Sequence, residues 1–94
     1  MTPELDFGWH DQKAASNAAK HGVDFADAVR VFRDPERIDV STARPEDGED
    51  RRKVTGRMGA KLYTMVYAQR QGGLIWLISA RRANSTEEKR YGTL

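Results

Sequence analysis

Residues 9–35 constrain the fold more than any other part of the chain, because they hold two helical segments separated by one glycine. In the first segment, small apolar residues recur at a spacing that places them on one face of a helix. Gly22 suits the left-handed position that ends a helix, and Asp24 suits the N-cap of the next helix. The second helix should end at Asp34-Pro35, because proline cannot continue it. The pattern predicts two short helices near the N-terminus.

Strand-like segments and turns make up most of the remaining sequence. A short alternating segment at residues 5–9 predicts a first strand, and the polar stretch 36–50 predicts a strand followed by an exposed loop. Three further strands, separated by glycine-containing turns, are predicted at 52–57, 62–68 and 74–79. Asn84-Ser85-Thr86-Glu87 has the form of a capping box that begins a C-terminal helix. We expect an α+β domain with a small antiparallel sheet of about four strands, two N-terminal helices and one C-terminal helix.

Length and composition exclude several classes of protein. A chain of 94 residues is long enough for one domain, so we expect residues 1–94 to form a single unit around one small core that includes Trp9 and Trp76. The chain has no cysteine, which excludes disulfides and thiolate chemistry, and its two histidines are poorly spaced for a metal site. No segment resembles a signal peptide or a membrane span. We expect a cytoplasmic protein without a cofactor or a metal.

The charge is divided unevenly along the chain. Residues 1–50 hold six Lys or Arg and twelve Asp or Glu, whereas residues 51–94 hold ten Lys or Arg and only two glutamates. A basic half of this kind commonly binds a polyanion, because cations that neutralise phosphates release condensed counterions. The alternative is a solvated surface that the acidic half balances in the folded protein.

Several motifs together resemble the BrnT family of type II toxins. The matching residues, which span most of the chain, are Trp9, Lys13, Asn17, Lys20-His21-Gly22-Val23, Phe25, Ala28, Val31-Phe32, Asp34-Pro35, Gly48-Glu49-Asp50-Arg51, Gly56, Ile78-Ser79-Ala80-Arg81-Arg82-Ala83, Glu87 and Tyr91. The resemblance implies a RelE-like fold and a ribonuclease that arrests translation. It also implies a BrnA-like antitoxin as partner, with operon DNA contacted only through the antitoxin complex.

Cleavage of RNA without a metal requires three kinds of group. The 2′-hydroxyl is the nucleophile, so the protein must supply a base, cations for the charge on phosphorus and an acid for the 5′-oxygen. Together with the resemblance, this requirement predicts five catalytic residues: Lys20, His21, Arg51, Arg81 and Tyr91. Further contacts to RNA are predicted for Arg52, Lys53, Arg82 and Arg90.

Each of these residues also has a structural interpretation. His21 could simply stabilise a helix end, Lys20 could be a solvated lysine, and Glu87 could serve only as the capping partner of Asn84. Two other functions are also compatible with the sequence. One is a nucleic-acid-binding module without catalysis, and the other is a subunit that pairs with an antitoxin to repress their shared operon.

Overall fold

The computed structural model describes residues 6–42, 44, 46 and 48–92. In these residues the elements follow one another as β1 (Asp6–Gly8), α1 (Asp11–His21), α2 (Phe25–Ala28), a 3₁₀ helix (Val29–Arg33), β2 (Ile38–Ser41), β3 (Asp50–Met58), β4 (Lys61–Gln69), a 3₁₀ turn (Gln71–Gly73), β5 (Leu74–Arg82) and α3 (Ser85–Gly92). This is the predicted α+β class with the predicted helices. No helix in these ranges is long and apolar enough to cross a membrane.

The strands form one mixed sheet in the order β1-β5-β4-β3-β2. The pairs β2–β3, β3–β4 and β4–β5 are antiparallel, whereas β1 pairs parallel with β5 and aligns Asp6 with Leu74. The prediction of about four antiparallel strands is therefore wrong, both in the number of strands and in the direction of β1. Turn residues identified the hairpins, but nothing local to β1 indicates a partner so distant in the sequence.

The core lies between the sheet and the N-terminal helices. Phe25, Ala28, Val31 and Phe32 come from the helical segment. They pack on a sheet surface formed by Val54, Met65, Tyr67, Ile75, Leu77 and Ala80. Phe32 contacts the ring of Tyr67 edge-on, with 5.0 Å between the ring centroids. Because one face of the sheet buries these apolar side chains, alternation along each strand sends the intervening residues to the opposite face.

Asn17 fixes α1 to the sheet. This side chain is buried, and its amide nitrogen donates to the carbonyl oxygens of Val23 and Ala80, each at 2.9 Å. Its oxygen accepts the backbone N–H of Ala80 at 3.0 Å. One turn later Gly22 ends the helix with φ of 69°, and its N–H donates to the carbonyl of Ala18, as the sequence predicts. The C-terminal end of α1 therefore lies beside the end of β5.

Candidate nucleic-acid interface

The sheet face opposite α1 and α2 carries many of the basic side chains. The register aligns Arg51, Ala68 and Trp76 in one row across β3, β4 and β5. The next two rows are Lys53, Val66 and Ser79, then Thr55, Thr64 and Arg81. We call this surface, completed by Arg57 and Leu62, the open face. Helix α3 packs on one end of it, where Glu87 contacts Thr64, Lys53 and Arg81.

Glu87 of α3 is the centre of a polar cluster on the open face. The Arg81 guanidinium contacts both carboxylate oxygens, at 2.8 and 3.0 Å, and Lys53 Nζ lies 3.1 Å from Oε2. The Thr64 hydroxyl donates to Oε1 at 2.9 Å and lies 2.8 Å from the hydroxyl of Thr55. Asn84 and Glu87 also exchange two backbone-to-side-chain bonds of 2.9 Å, which confirms the predicted capping box.

The electrostatics of this cluster favour a charged carboxylate. Burial alone would raise the pKa of Glu87, but hydrogen bonds from Arg81, the N–H of Asn84, Lys53 and Thr64 outweigh it and lower the pKa. The bond to Glu87 in turn raises the pKa of Arg81. Two cations share one carboxylate, so the cluster keeps a positive charge. Both cations remain partly open to solvent, with 34% of the Arg81 side chain and 27% of the Lys53 side chain exposed.

Trp76 gives the open face an aromatic surface. The sequence predicts it in the core, but it is only half-buried and lies on the opposite side of the sheet from the core. Its ring lies against Gly8, where an added Cβ would be 3.0 Å from two ring atoms. The Arg70 guanidinium stacks 4.3 Å from the ring centroid. The Glu49 carboxylate lies between two arginines, with Oε1 2.9 Å from Arg51 Nε and Oε2 4.0 Å from Arg70 Nη2. It therefore connects the Arg70–Trp76 pair to Arg51 of β3.

Lys20 and His21 lie on the other side of the sheet from the Glu87 cluster. Both are exposed in the last turn of α1, one turn beyond the Asn17 side chain that binds Ala80. They are therefore close to the strand end that carries Arg81, although neither side chain has a hydrogen bond or ion pair with another described residue. Their predicted part in catalysis stays a prediction.

Tyr91 is buried rather than presented to solvent. Its hydroxyl donates to Asp34 Oδ2 at 2.7 Å, and only 8% of the residue is exposed. The bond to Asp34, together with burial, raises the pKa of Tyr91. Burial alone would raise the pKa of Asp34, but the bonds from Tyr91 and from the backbone N–H groups of Arg57 and Glu36 outweigh it and lower the pKa. Tyr91 therefore fixes the end of α3 to the chain after the 3₁₀ helix.

The four residues predicted to contact RNA are dispersed. Lys53 lies in the Glu87 cluster, whereas Arg52 points to the helix side and donates to Asp39 at 2.6 Å. Arg82 is exposed over the ring of Tyr63, 5.5 Å from its centroid, and Arg90 is exposed on α3. Of the nine predicted site residues, the structure brings Arg51, Lys53 and Arg81 together on the open face.

Sequence reasoning missed Glu87 and Trp76 as members of this site. Glu87 is one of only two acidic residues after residue 50, which could have marked it as the partner of several cations. Trp76 follows Leu74-Ile75 in an apolar strand, a pattern that resembles core on both sides. No three His, Asp or Glu side chains within the described ranges are grouped so that they could hold a metal.

Comparison with known proteins places these observations in a family. The model for "Ribonuclease toxin, BrnT, of type II toxin-antitoxin system" matches residues 9–87. A similar solved structure is the 1.1 Å crystal structure of the ribonuclease toxin BrnT from Brucella abortus, with a TM-score of 0.66 and 24% identity. That match covers 87% of this chain and 100% of the Brucella chain. A search of curated proteins found no significant match. Because the family model spans well over half of the sequence, the chain belongs to the BrnT family of ribonuclease toxins of type II toxin-antitoxin systems, which act on RNA and are paired with an antitoxin.

Proposed function

We propose that this protein is an endoribonuclease that binds RNA across the open face and cleaves it without a metal. The observation that carries the proposal is the cluster of Arg81, Lys53 and Glu87. It holds two partly exposed cations at fixed positions with a net positive charge. Guanidinium and ammonium groups bind phosphate oxygens, and a fixed arrangement stabilises the charge that develops on phosphorus. The exposed Arg70 guanidinium, which stacks on the half-buried ring of Trp76, offers a planar surface on which a base can stack.

The reaction we propose is internal transesterification. The 2′-oxygen attacks the adjacent phosphorus, the bond from phosphorus to the 5′-oxygen breaks, and the products carry a 2′,3′-cyclic phosphate and a 5′-hydroxyl. A base removes the 2′ proton and an acid gives a proton to the 5′-oxygen. His21 and Lys20 are our candidates for these transfers, because they are exposed near the end of β5 that carries Arg81. They lie on the other side of the sheet from Arg81, so the proposal requires the RNA strand to pass round the end of β5. Arg51 and Arg81 are assigned to the phosphate.

Tyr91 is assigned a positioning role in place of proton transfer. Its hydroxyl already donates to Asp34, and a raised pKa makes it a weaker acid. Among the predicted RNA contacts, Lys53 is assigned to the phosphate. Arg82 and Arg90 are assigned to flanking nucleotides because they are exposed near the end of β5 and on α3. Arg52 is held by Asp39 on the helix side, so we assign it the weakest contribution.

Cleavage of a defined RNA in the presence of EDTA tests this proposal. We expect new ends that carry a 2′,3′-cyclic phosphate, and a loss of rate on the order of 10²-fold in Arg81→Ala. Lys13→Ala is the control, because Lys13 is exposed on α1 away from the open face. RNA that stays intact at every protein concentration would refute the proposed ribonuclease activity. RNA that is retained without new ends would instead support the nucleic-acid-binding module.

We also propose that a BrnA-like antitoxin neutralises the toxin in the cytoplasm, and that the complex contacts operon DNA through the antitoxin alone. Membership of a type II toxin-antitoxin family supports a protein partner. Helices on one face of a mainly antiparallel sheet, with α3 across the other, also support a RelE-like assignment. Purification with the product of the adjacent gene tests the pairing. Failure of the two proteins to associate would refute it.

A further inference from the structure

A second basic surface lies at the end of the sheet formed by the β3–β4 turn. A pocket of about 370 Å³ is lined there by Arg30, Arg33, Asp34, Pro35, Arg57 and the Met58-Gly59 turn. We call it the arginine pocket. Arg30 and Arg33 come from the 3₁₀ helix, whereas Arg57 belongs to the open face. The proposed reaction uses none of these three arginines.

The charges in the arginine pocket are unbalanced. Arg30 and Arg33 are exposed, and neither has an ion pair with another described residue. Asp34 is the only carboxylate among the described residues that line the pocket. Its Oδ1 accepts the N–H of Glu36 at 2.9 Å, and its Oδ2 accepts the N–H of Arg57 and the Tyr91 hydroxyl, each at 2.7 Å. The carboxylate keeps its charge and attracts Arg57, but three arginines against one carboxylate leave this lining with a formal charge of +2. Repulsion among the arginines is relieved when an anion binds.

The pocket is continuous with the proposed RNA surface. Arg57 lies two residues beyond Thr55 on β3 and also lines the pocket. Asp34 in the pocket lining accepts a hydrogen bond from the Tyr91 hydroxyl, so the pocket also lies next to α3. We propose that the arginine pocket binds a phosphate group of the RNA strand where that strand leaves the open face beside α3. A guanidinium fork matches phosphate oxygens in shape and charge. This inference rests on the proposed function, because the strand must first lie on the open face.

The salt dependence of RNA binding tests the inference. The probes are a 2′-O-methyl RNA of twelve nucleotides, which cannot be cleaved, and a four-nucleotide version too short to reach both surfaces. For the long probe, we expect Arg30→Ala/Arg33→Ala to weaken binding and to reduce the magnitude of the slope of log K against log salt by about 0.7, the value for one lost phosphate contact on a single strand. The short probe should bind the double variant and the wild type equally.

Two controls accompany this test. Arg30→Lys/Arg33→Lys keeps both charges and should keep the wild-type slope, whereas Lys13→Ala removes an exposed charge elsewhere and should have no effect. Equal melting temperatures would show that the variants are folded. If the wild type binds and cleaves RNA but the double alanine variant keeps its slope, the pocket inference fails alone. The inference also fails if the variant loses only antitoxin binding, since the pocket then serves an acidic protein segment. If the wild type does not bind RNA, the inference and the proposed function both fail.

Discussion

Replacing Glu87 by glutamine should destabilise the fold, because the carboxylate accepts bonds from Arg81, Lys53, Thr64 and the backbone of Asn84. Glutamine can keep the bonds to Oε1 from Thr64 and Asn84. Its amide nitrogen would take the place of Oε2, however, and because this nitrogen is a donor it cannot accept the bonds from Arg81 Nη2 and Lys53 Nζ. Two bonds to charged groups are lost, each with a net value of about 1.5–3 kcal/mol.

Partial exposure of the two cations places the expected loss at the low end of that range. Arg81 and Lys53 have side-chain exposures of 34% and 27%, so water compensates part of the lost interaction. We expect a decrease of about 3 kcal/mol in the free energy of unfolding at pH 7. A domain of this size has a total stability of about 5–14 kcal/mol, so the variant should still fold. The melting temperature should fall by about 12–24 °C.

The same carboxylate predicts a dependence on pH. The folded-state pKa of Glu87 is lowered from its ordinary value of 4.5, so its stabilisation is complete above that value and is lost as the pH falls below it. Urea unfolding should therefore show a large difference in the free energy of unfolding between wild type and variant at pH 7, and a smaller difference at pH 3.5. Glu88→Gln, at the exposed neighbouring position, should change the stability by less than about 0.5 kcal/mol. A Glu87→Gln value equally small at pH 7, or a difference unchanged at pH 3.5, would refute the reasoning.

Two further substitutions probe the packing of the sheet by urea unfolding. In Gly56→Ala the new Cβ would lie 2.9 Å from Val31 Cγ1 and 3.2 Å from Arg37 Cβ, so we expect a loss of about 1–3 kcal/mol. Gly92→Ala, with open space around it, is the matched control and should be neutral. Asn17→Ala leaves the buried N–H and C=O of Ala80 without their partner and should cost about 3 kcal/mol, with faster hydrogen exchange at the Ala80 amide. The exposed Ser16→Ala on the same helix should cost less than about 0.5 kcal/mol, and a value equal to that of Asn17→Ala would contradict this account.

The local parts of the fold could be predicted from the sequence. Gly22 ends α1 and the Asn84–Glu87 box begins α3, because a left-handed glycine and a reciprocal cap depend on neighbouring residues. The parallel pairing of β1 with β5 could not be predicted, because it joins Asp6 to a residue far along the chain. The complete strand order of the sheet could not be predicted for the same reason.

The candidate site was predictable in composition but not in geometry. Charge asymmetry identified the basic half, and strand alternation places Arg51 and Lys53 on one face. Which face the N-terminal helices cover depends on tertiary packing, so the position of Trp76 on the opposite face and the role of Glu87 became visible only in the structure. The same alternation sends Arg52 to the helix side, where it donates to Asp39.

The central claim is that RNA binds on the open face, and the two tryptophans allow a direct test of it. Trp9 packs edge-on against Phe25 on the helix side, with 6.0 Å between the ring centroids, whereas Trp76 lies on the open face. Trp9→Phe leaves Trp76 as the only indole, and Trp76→Phe leaves Trp9. When a 2′-O-methyl RNA is titrated, we expect saturable quenching of the Trp76 emission that weakens as salt increases, and no change in the Trp9 emission. Quenching of Trp9 with Trp76 unchanged, or no change in either, would contradict the claim.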